Sequence, residues 1–456
     1  MAESAVYDVV ILGAGSGGYA TALRAAQLGL NTALIEADKV GGTCLHRGCI
    51  PTKAMLHSAE IADQVRESAK YGVNSSLEGI DIGGVNRFKQ SVIDRLYKGL
   101  QGLVSGRGVN LIQGHGEVQS PNQVRVGDEL IRGRNLVLGT GSYARSLPGL
   151  AIEGRVMTSD QALGLDWVPR NPIVLGGGVI GLEFASLWTS FGAKATIVEA
   201  LEHLAPNEDV AVSKLLERSF RRRGIGYKLG SKVADVSQDD TQVSVTLGNG
   251  EQLTGDVLLV AVGRGPNTVN AGFESLGLQM DRGFVITDPQ LRTSVEGVWA
   301  VGDIVPGLQL AHRGFAQGIA AAERIAGLNP PPLIESGIPR VTYCDPEIAS
   351  VGLTEEAAKR EHGEDAIETV EYNLAGNGKS QVLGTQGFVK LVRAAGGPVL
   401  GVHMLGARIG ELVGEAQLIV NWEAYPEDVA ELIHAHPTQD EAIGEAFLAL
   451  AGKPLH

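Results

Sequence analysis

The sequence predicts an α/β protein: two doubly wound strand–turn–helix units, followed by a C-terminal α+β domain. Three observations predict it. The segment 9–36, VVILGAGSGGYATALRAAQLGLNTALIE, returns without a gap 163 positions later as PIVLGGGVIGLEFASLWTSFGAKATIVE at 172–199. Each copy reads as a buried apolar run, a glycine turn, an amphipathic helical stretch, a glycine, and a second apolar run ending in Glu. Near the C-terminus the pattern changes: GFVKLVRAAGGPVLGVHML reads as a hairpin around Gly-Gly-Pro, and helices follow at ELVGEAQLIVNW and PEDVAELI, where Pro426 suits a first helical position.

Composition bounds the function. A chain of 456 residues has room for about three domains. It carries 38 basic against 52 acidic residues, a formal charge of -14, whereas nucleic-acid binders are usually basic. No apolar run approaches the length of a membrane span. The opening MAESAVYDVV has neither the basic nor the apolar region of a secretory signal. Three cysteines are too few for a secreted disulfide scaffold. The expectation is a cytoplasmic protein in which any disulfide is catalytic. The 62 glycines, with no Gly-X-Y period, imply many tight turns.

Both turns spell G-x-G-x-x-G: Gly13, Gly15, Gly18 and Gly176, Gly178, Gly181. The first glycine makes the turn, the second lets backbone approach a pyrophosphate, and the third lets helix pack on strand. The helix start offers unpaired N–H groups to phosphate. Glu36 and Glu199, each 23 residues past the first glycine, can accept from an adenosine ribose. Two Rossmann-like dinucleotide sites in one chain suggest a relay between a resident flavin and an exchanging nicotinamide. A carboxylate at 199 repels a 2′-phosphate and favours NAD over NADP.

After the first unit comes GGTCLHRGCIPTK, with Cys44 and Cys49 five residues apart. In a regular helix that spacing is too long for a disulfide; Gly48 can relax the backbone, and Pro51 disfavours helical geometry at Ile50. A helical pattern (KAMLHSAEIADQV) follows, and a helix N-terminus lowers thiol pKa. Two unconnected buried cysteines are the alternative; a zinc site lacks a second paired cluster. Cys344 reads as a packed structural thiol.

Taken together these segments resemble the flavin-dependent disulfide reductases (class I pyridine nucleotide-disulfide oxidoreductases) and, among them, the dihydrolipoamide dehydrogenases. GGTCLHRGCIPTK is similar to the redox-disulfide motif, GGGVIGLEFA to the NAD motif, TSVEGVWAVGDI to the second flavin motif and HAHPTQDEA to the C-terminal catalytic motif. The resemblance implies a glutathione reductase-like fold: an FAD-binding domain (1–146), an NAD-binding domain (147–265), a return to the flavin or central domain (266–337) and a dimerisation domain (338–456). It assigns FAD to Gly13, Gly15, Gly18, Glu36, Lys53, Gly116, Thr140, Gly141, Ser142, Asp303, Leu310, Ala311 and His312. It assigns the NAD side to Gly176, Gly178, Gly181, Glu183, Glu199 and Gly263, with Glu183 as counter-charge to Lys53. Cys44 would be the interchange thiol and Cys49 the thiol facing the flavin. His436 would be the acid/base, oriented by Glu441, with His434 in support. In a homodimer His436 would act on the other subunit's disulfide. The implied reaction oxidises protein-bound dihydrolipoamide with reduction of NAD, without metal. The lipoyl group would come from a 2-oxoacid dehydrogenase complex or the glycine cleavage system. Rival readings are mycothiol or glutathione disulfide reduction, or a non-catalytic complex subunit. Three departures stand out: Gly139 where the family usually has Ala, Arg47 between the cysteines, and HRGFAQG in place of a more acidic stretch.

Overall fold

The computed structural model describes residues 6–269 and 271–456; residues 1–5, the start of the stretch read for a secretory signal, lie outside the described residues, as does Asn270. The chain forms two compact units. One comprises the chain up to Ala54, Gly83–Arg145 and Arg264–Leu333; the other comprises Met55–Ile82, Ser146–Gly263 and Ile334–His456.

The first unit is built on a seven-stranded sheet. Its order is Asn110–Gln113, Thr32–Glu36, Val6–Leu12, Glu129–Leu138, Gln123–Val126 and Gly116–Ser120, with Val298–Ala300 pairing in parallel with the end of Glu129–Leu138. Val9–Leu12, Ala33–Ile35 and Leu136–Leu138 are all buried, because parallel strands covered on both faces need continuous apolar runs rather than alternation. The helix Ser16–Gln27 lies against the helix Ala311–Ile325. That approach depends on glycine: a Cβ on Gly318 would stand 2.3 Å from the Gly17 carbonyl oxygen.

The second unit holds a parallel five-stranded sheet in the order Gly226–Lys228, Thr196–Val198, Pro172–Leu175, Val257–Val260, Val156–Met157, and a three-stranded antiparallel sheet, Val233–Gln238, Val243–Leu247, Gln252–Gly255. It also holds an antiparallel sheet, Arg340–Thr342, Glu347–Gly352, Val399–Gly406, Phe388–Ala394, Ile367–Asn373. The expected hairpin is its centre, Phe388–Ala394 against Val399–Gly406. Helices Val413–Asn421 and Glu441–Leu450 bury Ile419, Ile443 and Phe447 on this sheet. Pro426 opens the helix Pro426–Ala430, where its missing N–H leaves no bond unmade. No helix of the described residues is long and apolar enough to cross a membrane.

Candidate functional site

The two glycine turns have the same geometry. The helix Ser16–Gln27 maps onto Val179–Ser190 residue for residue. Gly13 and Gly176 have φ of +97° and +110°, a region closed to most side chains. A Cβ on either would lie 2.4 Å from a carbonyl oxygen, that of Gly139 or Ala261. A Cβ on Gly18 would meet the Gly13 oxygen at 1.8 Å, and one on Gly181 the Gly176 oxygen at 1.9 Å. Gly15 and Gly178, by contrast, would direct a Cβ into open space. Each of these two caps its helix without a side-chain hydrogen bond, so the first N–H groups remain available to an anion.

The closing glutamates are fixed alike. Glu36 accepts from the Ala14 N–H at 2.7 Å and the Asp38 N–H at 2.8 Å. Glu199 accepts from the Gly177 N–H at 2.6 Å and the Leu201 N–H at 2.8 Å. Each carboxylate is thus locked to its own turn, with lone pairs left for a ribose hydroxyl.

The cysteines flank a broken helix. Cys44 lies in the helix Gly42–Arg47, and Cys49 begins the helix Cys49–Glu67. The break is Gly48, at φ -141° and ψ -111°, and it brings Cys49 into hydrogen-bond contact with Cys44. Two sequence expectations are corrected here. Ile50 and Pro51 are helical, because Pro in a first turn gives up no bond. The Cys44 thiol is pushed up, not down: its hydrogen bond to Cys49 comes first, then burial, and the Lys53 charge only partly opposes them. Arg47 is tied to Asp38 at 2.7 Å. Cys344 is buried, and its thiol donates to the Pro346 carbonyl at 3.1 Å.

Four of the residues expected on the flavin side, Thr140, Gly141, Ser142 and Asp303, fall into one clip. Ser142 Oγ donates to Asp303 at 2.5 Å and accepts from Arg264 Nε at 2.7 Å. Thr140 Oγ1 donates to the Asn267 carbonyl at 2.6 Å, and the Asn267 N–H to the Gly141 carbonyl at 2.9 Å. Gly302, beside Asp303, donates to Gln317 Oε1 at 2.7 Å. Arg264, Asn267 and Gln317 were not singled out from the sequence; Arg264 stands in VAVGRGPN, whose spacing gave no hint of its partner 122 residues back. Leu310 caps the helix Ala311–Ile325 and His312 on its first turn is exposed. Gly116 opens the end strand of the sheet, where a Cβ would strike Leu12 at 2.5 Å.

In the second unit Gly263 is exposed at φ +103°, and buried Glu183 accepts from the Tyr343 N–H at 3.0 Å. His436 Nδ1 lies 2.7 Å from Glu441 Oε1, while Glu441 Oε2 accepts from the Thr438 N–H at 2.8 Å. Burial alone would raise the Glu441 carboxyl; the Thr438 N–H and His436 outweigh it and hold it below the usual range. An ionised Glu441 accepts from the Nδ1–H and leaves Nε2 as the ring atom with a lone pair. The His436 side chain is 76% exposed, so that nitrogen is accessible. His434 pairs with Glu415 instead, at 3.0 Å. Lys53 and the cysteines belong to the first unit, and Glu183, His436 and Glu441 to the second.

The arrangement comprises two dinucleotide cradles, a contacting cysteine pair and a carboxylate-oriented histidine. A sequence model described as pyridine nucleotide-disulphide oxidoreductase matches residues 7–318, and one described as the dimerisation domain of that family matches 338–447. The dihydrolipoyl dehydrogenase of Bacillus subtilis is 39% identical, with 99% of each chain covered. That of Chlorobaculum tepidum is 38% identical over 97% of each. Among solved structures, LpdA from Mycobacterium tuberculosis is similar with a TM-score of 0.89 at 28% identity, covering 97% of this chain and 99% of that one.

Proposed function

The chain belongs to the pyridine nucleotide-disulphide oxidoreductase family, and from that premise we propose that it oxidises protein-bound dihydrolipoamide to lipoamide while reducing NAD to NADH. The observation that carries the reading is the contacting pair Cys44 and Cys49, set just downstream of one of two matched dinucleotide cradles.

FAD fits the first cradle and NAD the second. Gly15 and Gly178 leave room for a pyrophosphate, the uncapped helix starts give it donors, and Glu36 and Glu199 stand ready for the riboses. The clip of Thr140, Ser142 and Asp303 would hold the flavin's middle, with Lys53 supplying positive charge near its ring. When bound, the flavin supplies a two-electron carrier between a dithiol and a nicotinamide, which do not exchange hydride directly.

The protein's own residues account for the sulfur chemistry. His436 Nε2 takes a proton from one substrate thiol, and the resulting thiolate forms a bond to Cys44 as the Cys44–Cys49 disulfide breaks. The second substrate thiol, deprotonated in turn, displaces Cys44 and closes the lipoamide disulfide. One dithiol is oxidised and one disulfide reduced, leaving Cys44 and Cys49 with the electron pair. The upward push on the Cys44 thiol means that Cys44, once displaced, takes up a proton at neutral pH, which the protonated His436 can return. The dimerisation-domain match at 338–447 supports a homodimer in which His436 serves the partner subunit's cysteines. Its start at 338 agrees with the division drawn at 337, and the breaks between compact units after Arg145 and Gly263 lie close to those drawn at 146 and 265. The lipoyl group would arrive on a subunit of a 2-oxoacid dehydrogenase complex.

A substrate panel tests this: lipoamide, glutathione disulfide and mycothiol disulfide, each with NADH and NADPH. The expected result is lipoamide with NADH ahead of every other pairing by at least about tenfold, and a clear preference for another disulfide would contradict it.

A further inference from the structure

His436 is carried on a segment of irregular backbone between the helices Pro426–Ala430 and Glu441–Leu450. An exposed base there needs its loop held, because a displacement of about 1 Å in a reacting group can cost about a hundredfold in rate. The middle of the loop is pinned: Asn377 donates to the Thr438 carbonyl at 2.9 Å, Gln439 to the Ala407 carbonyl at 2.9 Å, and Ser380 to Gln439 at 2.6 Å.

The ends converge on one residue. His434 Nε2 lies 3.0 Å from Glu415 Oε1, with the His434 side chain 9% exposed. A side-chain nitrogen or oxygen each from Glu415, His434 and Asp440 all lie within 4.8 Å of one another. Asp440 immediately precedes Glu441, the residue that orients His436. The other face of the His434 ring meets the helix Glu441–Leu450, where a Cβ on Gly444 would be 2.5 Å from Nδ1.

We propose that Glu415 is a positioning residue for the acid/base: from the helix Val413–Asn421 it clamps both ends of the loop that carries His436, engaging His434 at one end and Asp440 at the other. Two carboxylates this close repel unless they share a proton or a positive charge. His434 is pushed up by its hydrogen bond to Glu415, and the Asp440 carboxyl is pushed up to about 6 by burial and then by Glu415. Both shifts supply what the clamp needs. Glu415 touches no reacting atom; it acts through the loop.

This inference rests on His436 being the acid/base of the proposed reaction. The test compares two activities of the flavin-loaded protein. Dihydrolipoamide-driven NAD reduction needs His436; NADH-driven ferricyanide reduction bypasses both the histidine and the cysteine pair. Glu415→Ala is expected to lower kcat for the first about thirtyfold, with KM for NAD and the ferricyanide activity unchanged. Glu415→Gln, which keeps an acceptor for His434, is expected to stay within about threefold of wild type. Should Glu415→Ala fail to fold, Asp440→Ala carries the test, with a selective loss of about fivefold. Wild-type dihydrolipoamide turnover in the alanine variant that folds, or equal loss of both activities in it, overturns the clamp. A wild-type protein inert towards dihydrolipoamide but active with ferricyanide overturns the reading beneath it, and the clamp with it.

Discussion

The helices Ser16–Gln27 and Val179–Ser190 follow the same glycine turn and occupy the same register, yet the equivalent face of each carries different residues. In the first, Gly17 and Thr21 face Gly314 and Gly318 of the helix Ala311–Ile325: a Cβ on Gly318 would lie 2.3 Å from the Gly17 oxygen and 2.9 Å from Thr21 Oγ1. In the second, the corresponding positions are Ile180 and Phe184; Phe184 is buried with its ring 5.1 Å from that of Trp188, and Val179, the counterpart of Ser16, is 45% exposed. The glycine-turn geometry is copied to within about 0.1 Å in its nearest contacts, while the roof over it is not. Backbone from residues 302–318 closes on the first cradle and builds the Asp303 clip beside it. Under the proposed assignment, this difference suits the first turn to a resident flavin and the second to an exchanging nicotinamide.

The contrast can be broken most forcefully at the roof. Gly318→Val should shed most of the bound FAD, lower stability by about 1–3 kcal/mol through overpacking, and leave KM for NAD unchanged; flavin absorbance and thermal melts read all three effects. The open glycines offer a subtler pair. Gly15→Ala and Gly178→Ala meet nothing within 4 Å and sit at ordinary φ of -69° and -83°, so neither should change Tm appreciably. Gly15→Ala should weaken FAD retention, whereas Gly178→Ala should raise KM for NAD about tenfold without loss of flavin. If both acted on the same cofactor, the division of labour would fall. Glu199→Gln should narrow the preference for NADH over NADPH about tenfold by removing like-charge rejection, as a ratio of kcat/KM values would show.

The smallest expected effect concerns Tyr19, whose counterpart in the second unit is Leu182. Burial, and then the neighbouring Cys44, push its phenol up to about 12. Below pH 10 the phenol is neutral in both folded and unfolded chains and affects no balance. Between pH 10 and 12 the unfolded chain loses that proton first, so stability falls as pH rises. Tyr19→Phe should therefore melt closer to, or above, wild type at pH 11 than at pH 8.

Much of this was legible in the residues. The repeat at 163 positions located both glycine turns, and the first and third glycines make the turn and the close helix–strand packing that their spacing implies, with each terminal Glu hydrogen-bonded to its own turn, because a turn, a helix start and a strand end are local features. Gly48 was legible as the relaxing point between Cys44 and Cys49. The Cys44 pKa was not, since it follows from how closely the second sulfur lies and how deeply the first is buried. Gly318 looked like one glycine among 62; its importance comes from a helix about 300 residues away in sequence. Arg264 escaped for the same reason, its partner Ser142 lying 122 residues back; Gln317 and Glu415 meet Gly302 and His434 only 15 and 19 residues away, but across irregular backbone, which no periodicity records.

The most direct measurement is dihydrolipoamide-driven formation of NADH by the flavin-loaded protein and by Cys44→Ser and Cys49→Ser. Both variants should retain their flavin and their ferricyanide activity while losing lipoyl turnover by at least about a thousandfold, because each removes one sulfur of the exchanging pair. Turnover at the wild-type rate in either variant would contradict the account.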